Sequence, residues 1–256
     1  MKRLLIAAFG LLLAAPDVAL AITYFPTDVP DPFKAGAKCK VQSLGSYGSY
    51  VYDWPSKYDR VFQPFIDQPM FWRCKGSGYV AHAADFEETP EDRKAAVQAW
   101  LAAHPADIDA LDFPAVLDRA QAIYEVRGMD DAWWSYFWRM RAVHAPSGAT
   151  GDAYRAKALP LLQAQLERTD LTSWQRMTNL YLVGYYARRL GQADLSKKSF
   201  KAMREIAWTD KEGTREGALK QFEALIADIE AGQLDGDCGQ TLSRPESCAA
   251  LSGRAD

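Results

Sequence analysis

From Thr89 to Gly232 the chain is punctuated by helix start and stop signals, and these restrict the fold more than any other feature. Thr89-Pro90-Glu91-Asp92 opens the series. A hydroxyl can cap, proline takes the first position where no amide is needed, and acids face the positive helix end. A helix is expected from there to about His104. Pro114 opens another that ends at Gly128. Asp130 caps a third, which contains Ala132–Val143. Asp152–Arg168 reads as a fourth, with Pro160 kinking it or marking a boundary. Thr172 caps a fifth that ends at Gly191, glycine being the favoured stop. Ala193–Trp208 and Thr214–Ala231 complete the set. The connections are short, so successive helices fold back as antiparallel hairpins.

The flanking segments differ in character. Ile22–Glu88 is rich in Tyr, Trp, Phe, Gly, Ser and Pro and has no helical period. GSYGSYVYDW at 45–54 alternates small and aromatic residues, which suits short strands and turns. Pro55, Pro64 and Pro69 break anything longer. The expectation is a small β- or loop-rich module with an aromatic core. Gln233–Asp256 has little apolar content and reads as a tail. The fold class that follows is mainly α: a stack of antiparallel helix hairpins behind a small aromatic N-terminal module. The expected divisions are 1–21, 22–88, 89–232 and 233–256.

Residues 1–21 begin with Lys2 and Arg3, continue through the apolar run Leu4–Ala15 and end Ala19-Leu20-Ala21. This is the pattern of a secretory signal peptide cleaved after Ala21. The apolar run is shorter than the roughly 20 residues that span a bilayer. The mature chain is therefore expected in the periplasm or secreted, with no membrane insertion after cleavage. Oxidising surroundings favour disulfides among the four cysteines. The local pairing, Cys39 with Cys74 and Cys238 with Cys248, keeps each pair inside one segment. The full chain has a net charge of −3. Removing the signal segment (Lys2, Arg3 and Asp17, net +1) makes the remainder about −4, which argues against a nucleic-acid partner.

One hairpin carries a more specific pattern. LYLVGYYARRLGQADLSKKSFKAM, residues 180–203, places Gly184, Gly191 and Phe200 where a tetratricopeptide repeat has two glycines and an aromatic, and it resembles such a repeat. Ser196 and Met203 depart from the small alanines of that pattern, and Trp208 stands where a closing proline is common. An ordinary antiparallel bundle is the alternative. The segment SKYDRVFQPFIDQPMFWRCKGSGYVAHAADF, residues 56–86, resembles the zinc-ribbon-like head of a little-characterised bacterial family whose body is a helical repeat. That resemblance implies two metal knuckles. Here each keeps its first cysteine, Cys39 and Cys74, while Gln42 and Ser77 occupy the second ligand positions. A structural zinc site needs four good ligands. With His82 as a third ligand, the fourth is still missing. A Cys39–Cys74 disulfide without metal is the expectation.

Catalytic patterns are absent from the sequence. No G-x-S-x-G, C-x-x-C or phosphate-binding glycine loop occurs, and Gly76-Ser77-Gly78 belongs to the knuckle-like turn. His104 and His144 stand at helix ends, where histidine suits the dipole. His82 follows the turn. Glu87-Glu88, Asp107/Asp109 and Asp130-Asp131 are acid pairs, but adjacency does not make opposed carboxylates. Trp133, Trp134 and Trp138 lie in an aromatic run that covers the circumference of its helix, as in a buried helix, with a binding surface as the alternative. No catalytic residue, cofactor or metal is expected. The function expected is an exported interaction or scaffold protein holding a protein or peptide on a helical-repeat surface. The alternative is an exported enzyme or lectin acting on cell-envelope polysaccharide.

Overall fold

The computed structural model describes residues 23–46, 56–61, 68–145, 148–232 and 234. The signal-like segment, most of the 45–54 stretch, and Cys238 and Cys248 lie outside the described residues. The described chain is mainly α with two small antiparallel sheets toward its N-terminal side. No helix among the described residues is long and apolar enough to cross a membrane.

Strands β1 (Thr23–Pro30) and β2 (Lys38–Ser46) form the first hairpin, with Val29 opposite Cys39. The Asp31 N–H donates to the Ala37 carbonyl at 3.0 Å and closes its loop. Strands β3 (Phe71–Arg73) and β4 (Val80–His82) form the second, with Phe71 opposite His82. Its turn is the knuckle-like segment. The Gly78 N–H donates to the Cys74 carbonyl at 2.7 Å, and the Cys74 N–H to the Tyr79 carbonyl at 2.8 Å. Gly78 sits at φ +76°, a conformation that favours glycine. The Ser77 hydroxyl accepts the Tyr79 N–H at 3.2 Å, so the residue in the second ligand position secures the turn. A Cys39–Cys74 disulfide, Cα–Cα 4.6 Å, joins the two hairpins.

Among the described residues there are eight α-helices: α1 (Ser56–Asp59) between the two hairpins and, after the second, α2 (Glu91–Ala103), α3 (Phe113–Arg127), α4 (Asp131–Val143), α5 (Gly148–Leu166), α6 (Ser173–Arg189), α7 (Ala193–Arg204) and α8 (Arg215–Glu230). Asp112, Asp130, Thr172 and Thr214 each accept a backbone N–H of the first turn they cap. Thr172 and Gln175 complete a reciprocal capping box. Three expectations are corrected. Thr89 caps nothing: its buried hydroxyl lies 3.3 Å from the Tyr79 hydroxyl, and α2 begins after Pro90 with no side-chain cap. Helix α5 runs through Pro160, so the proline marks no boundary. Helix α7 stops at Arg204, because the chain beyond it is drawn back to α6, where Ser173 Oγ accepts the Thr209 N–H at 2.8 Å.

Apolar packing falls into two clusters. In one, Cys39, Phe71, Cys74, Tyr79 and Val80 of the hairpins pack with Val97, Leu117, Ile123, Tyr124 and Phe137 of α2–α4. The other joins Leu159, Leu162, Tyr181, Leu182, Phe200, Phe222 and Ile226 of α5–α8 with Tyr58 of α1. Trp138 packs against both. Helices α6 and α7 approach at Gly184, where an added Cβ would lie 2.6 Å from Cδ1 of Phe200. Gly184→Leu is therefore expected to cost at least about 1–3 kcal/mol through overpacking. Thermal unfolding checks it, and an unchanged midpoint would place the close approach elsewhere.

Candidate functional site

The first turns of α6 and α8 and the loop between α7 and α8 enclose an open groove of about 870 Å³. The capping chemistry that starts these helices also builds its walls. Thr172 Oγ1 accepts the Gln175 N–H at 3.1 Å, and Thr214 Oγ1 accepts the Gly217 N–H at 3.0 Å. Both threonines line the groove. The Asp210 carboxylate reaches across from the loop and accepts the N–H groups of Ser173 and Trp174 at 2.8 and 2.9 Å. The amide of Trp174, with that of Ser173, holds the Asp210 carboxyl below the usual carboxylate range, so it is anionic at neutral pH. The free amides of α6 are thus taken by the chain itself, and this helix end is not an anion site.

Two half-buried indoles supply the apolar surface. Trp174 packs on Phe222 with ring centroids 5.6 Å apart, and the Arg60 guanidinium lies 5.9 Å from its ring. Trp208 stands in the loop, and its Nε1–H is buried with no hydrogen-bond partner. Gly213 and Gly217 leave parts of the lining without side chains, and Gly213 takes φ +73°. Lys211, Glu212 and Gln221 are exposed at the rim. The described lining contains no histidine or cysteine and no nucleophile–base pair. It offers aromatic faces, a carboxamide and charges of both signs.

The residues singled out from the sequence lie elsewhere. Gly184 and Phe200 meet inside the α6–α7 interface, and Gly191 at φ +76° turns the chain between these helices. Trp133 donates its indole N–H to Asp85 Oδ2 at 3.0 Å, and its ring centroid lies 3.9 Å from that of Tyr124. Trp134 stacks on Trp138 and Trp138 on Tyr154, with the Lys157 ammonium 4.3 Å from the Trp138 ring centre. All three tryptophans are half-buried. His82 is buried, and its Nδ1 accepts the Ala84 N–H at 3.1 Å. His104 and His144 terminate α2 and α4. Asp107 caps a short 3-10 turn, and Asp109 pairs with Lys75 at 2.6 Å. Asp130 is a cap, while Glu87 and Glu88 are exposed.

Two buried polar hubs were not singled out by sequence. Asp85 accepts from Tyr124 (2.8 Å), Arg127 (2.8 Å) and Trp133 (3.0 Å). Burial pushes the Tyr124 hydroxyl well above its ordinary pKa, which keeps it a donor. Asp59 accepts from Arg155 and Tyr186. Both hubs are closed by their partners and hold elements together. A lone acid between apolar neighbours, as in Ala84-Asp85-Phe86, is the signal that marks the first; Asp59, between Tyr58 and Arg60, leaves no such signal. The groove left a weaker signal: Trp208 followed by the polar run 209–214.

In comparison with known proteins, the chain matches no family model, and it has no significant similarity to a curated protein or to a solved structure.

Proposed function

We propose that the protein is an exported, non-enzymatic interaction protein that holds an extended peptide segment of a partner protein in the groove between α6 and α8. The observation that carries this reading is the pairing of two half-buried indoles, Trp174 and Trp208, on one groove. Indole faces take an apolar side chain, and tryptophan is among the residues that concentrate binding energy. The exposed Gln221 carboxamide can address the carbonyls and amides of an extended backbone. In a stack of helix hairpins, the first helices of successive pairs line one shared face. Helices α6 and α8 stand in that relation on either side of α7, which supports a repeat-like surface. The pattern of residues 1–21 supports export.

Selection of peptides from a random display library against the full chain tests the reading, with affinity followed by tryptophan fluorescence. Enriched peptides should share an aromatic or aliphatic residue. Trp174→Ala should weaken them by about thirtyfold, the effect of losing a hot spot of about 2 kcal/mol. Lack of enrichment, or peptides indifferent to both Trp174→Ala and Trp208→Ala, would remove the groove as the site. Binding of cell-envelope oligosaccharide alone, lost in the same variants, would replace the peptide reading with the polysaccharide one.

A further inference from the structure

Beside the Cys39–Cys74 disulfide lies a buried carboxylate with one idle oxygen. Asp31, 6% exposed, turns Oδ1 to the Phe33 N–H at 3.0 Å, while Oδ2 is buried with no hydrogen-bond partner. A carboxylate oxygen and the two sulfurs lie within 4.8 Å of one another. Gly76 leaves the space beside Oδ2 open, because a Cβ there would come within 3.1 Å of that oxygen. An unpaired buried carboxylate oxygen is costly, and neither sulfur of a disulfide offers it a proton or a charge.

We propose that reduction of the disulfide converts Asp31, Cys39 and Cys74 into a three-ligand site for a zinc-type divalent cation, so that a metal replaces the covalent staple. The chemistry balances with a thiol as reductant: two external thiols become one external disulfide, and the protein disulfide becomes two thiols. The cation then displaces two protons as the thiolates bind. Two thiolates and a carboxylate suit a borderline-soft tetrahedral ion, with metal–sulfur distances of about 2.3 Å and metal–oxygen distances of about 2.0–2.2 Å. Ligands at such distances stand roughly 3.5–3.8 Å apart, so the sulfurs must part by about 1.5–1.8 Å from their bonded separation. The carboxylate need only close in. Three negative ligands against a double positive charge leave a net −1, with the fourth position open to water. In the oxidised chain neither sulfur is a thiolate, so oxidation closes the site.

Cobalt(II) is the probe, on the full chain carrying Cys238→Ser and Cys248→Ser so that only Cys39 and Cys74 report. Reduced without oxygen by a phosphine, the protein should bind one cobalt with thiolate-to-metal charge-transfer absorption, displaced by zinc. The oxidised protein should show no such absorption. Asp31→Asn should weaken binding to the reduced chain by at least tenfold, a loss that even outer-shell changes at metal sites reach (about 10–100-fold). Asp31→His should retain binding but change the cobalt spectrum, and this holds the assignment of Asp31 open to test if the asparagine variant does not fold. No cobalt in the reduced chain, binding by the oxidised chain, an Asp31→Asn variant that binds as tightly, or an unchanged spectrum in Asp31→His would each overturn the proposal.

Discussion

Replacing Asp59 with alanine should lower the stability of the protein by about 3–5 kcal/mol, the loss that follows when one partner of a buried ion pair is removed. The Asp59 side chain is fully buried and that of Arg155 is 8% exposed. Arg155 donates through Nε at 3.0 Å and Nη2 at 2.9 Å, and the Tyr186 hydroxyl at 2.8 Å. Without the carboxylate, the Tyr186 hydroxyl loses its acceptor and the buried guanidinium keeps only Asp152, through Nη1 at 3.0 Å. The backbone around Asp59 is fixed as well, since Arg139 Nη2 donates to the carbonyls of Asp59 and Arg60 at 2.8 and 2.7 Å. Helices α4, α5 and α6 thus converge on α1 through one acid. Urea denaturation measures the effect, and Asp59→Asn, which keeps the shape and one acceptor, should lose less. An Asp59→Ala midpoint equal to that of the parent would mean that the hub holds nothing in place.

Loss of the Cys39–Cys74 bond should cost roughly 3–4 kcal/mol by chain entropy, because the two residues are 35 apart in sequence. The double variant Cys39→Ala/Cys74→Ala, compared with the parent in urea, isolates this term. Both thiols should resist alkylation until a reductant is added. Reactive thiols at 39 and 74 in the untreated protein would contradict the pairing. Domains commonly have 5–15 kcal/mol in hand, so the reduced chain is expected to stay folded, as the cobalt experiment requires.

What the sequence made legible is chemistry that closes within one helical turn. Asp130, Thr172 and Thr214 cap helices because their oxygens need reach only an amide two or three positions on. Gly128 and Gly191 end helices because the left-handed conformation asks for glycine wherever the rest of the chain goes. Thr89 shows the limit of that logic. Its hydroxyl met the usual local pattern, but the Tyr79 hydroxyl, ten positions away, took it into the interior. The hubs lie beyond local reach altogether: Asp59 and Arg155 are 96 residues apart, and Asp85 and Arg127 are 42 apart. The groove is of the same kind. Trp208 read as the end of a helix, and only the return of the loop to cap α6 with Asp210 sets its indole opposite Trp174. The disulfide partners were legible for a different reason, since they are the two cysteines of one segment, 22–88. The idle oxygen of Asp31 beside them was not, because nothing in Pro30-Asp31-Pro32 marks it as facing sulfur.

Amide hydrogen exchange of the full chain, with and without a peptide selected against it, tests the central claim most directly. If a peptide lies between α6 and α8, slowed exchange should concentrate in 172–176 and 208–221, where the caps and indoles that wall the groove reside. Protection centred on the aromatic helix at 133–138, or no protection in the groove segments at saturating peptide, would contradict the account.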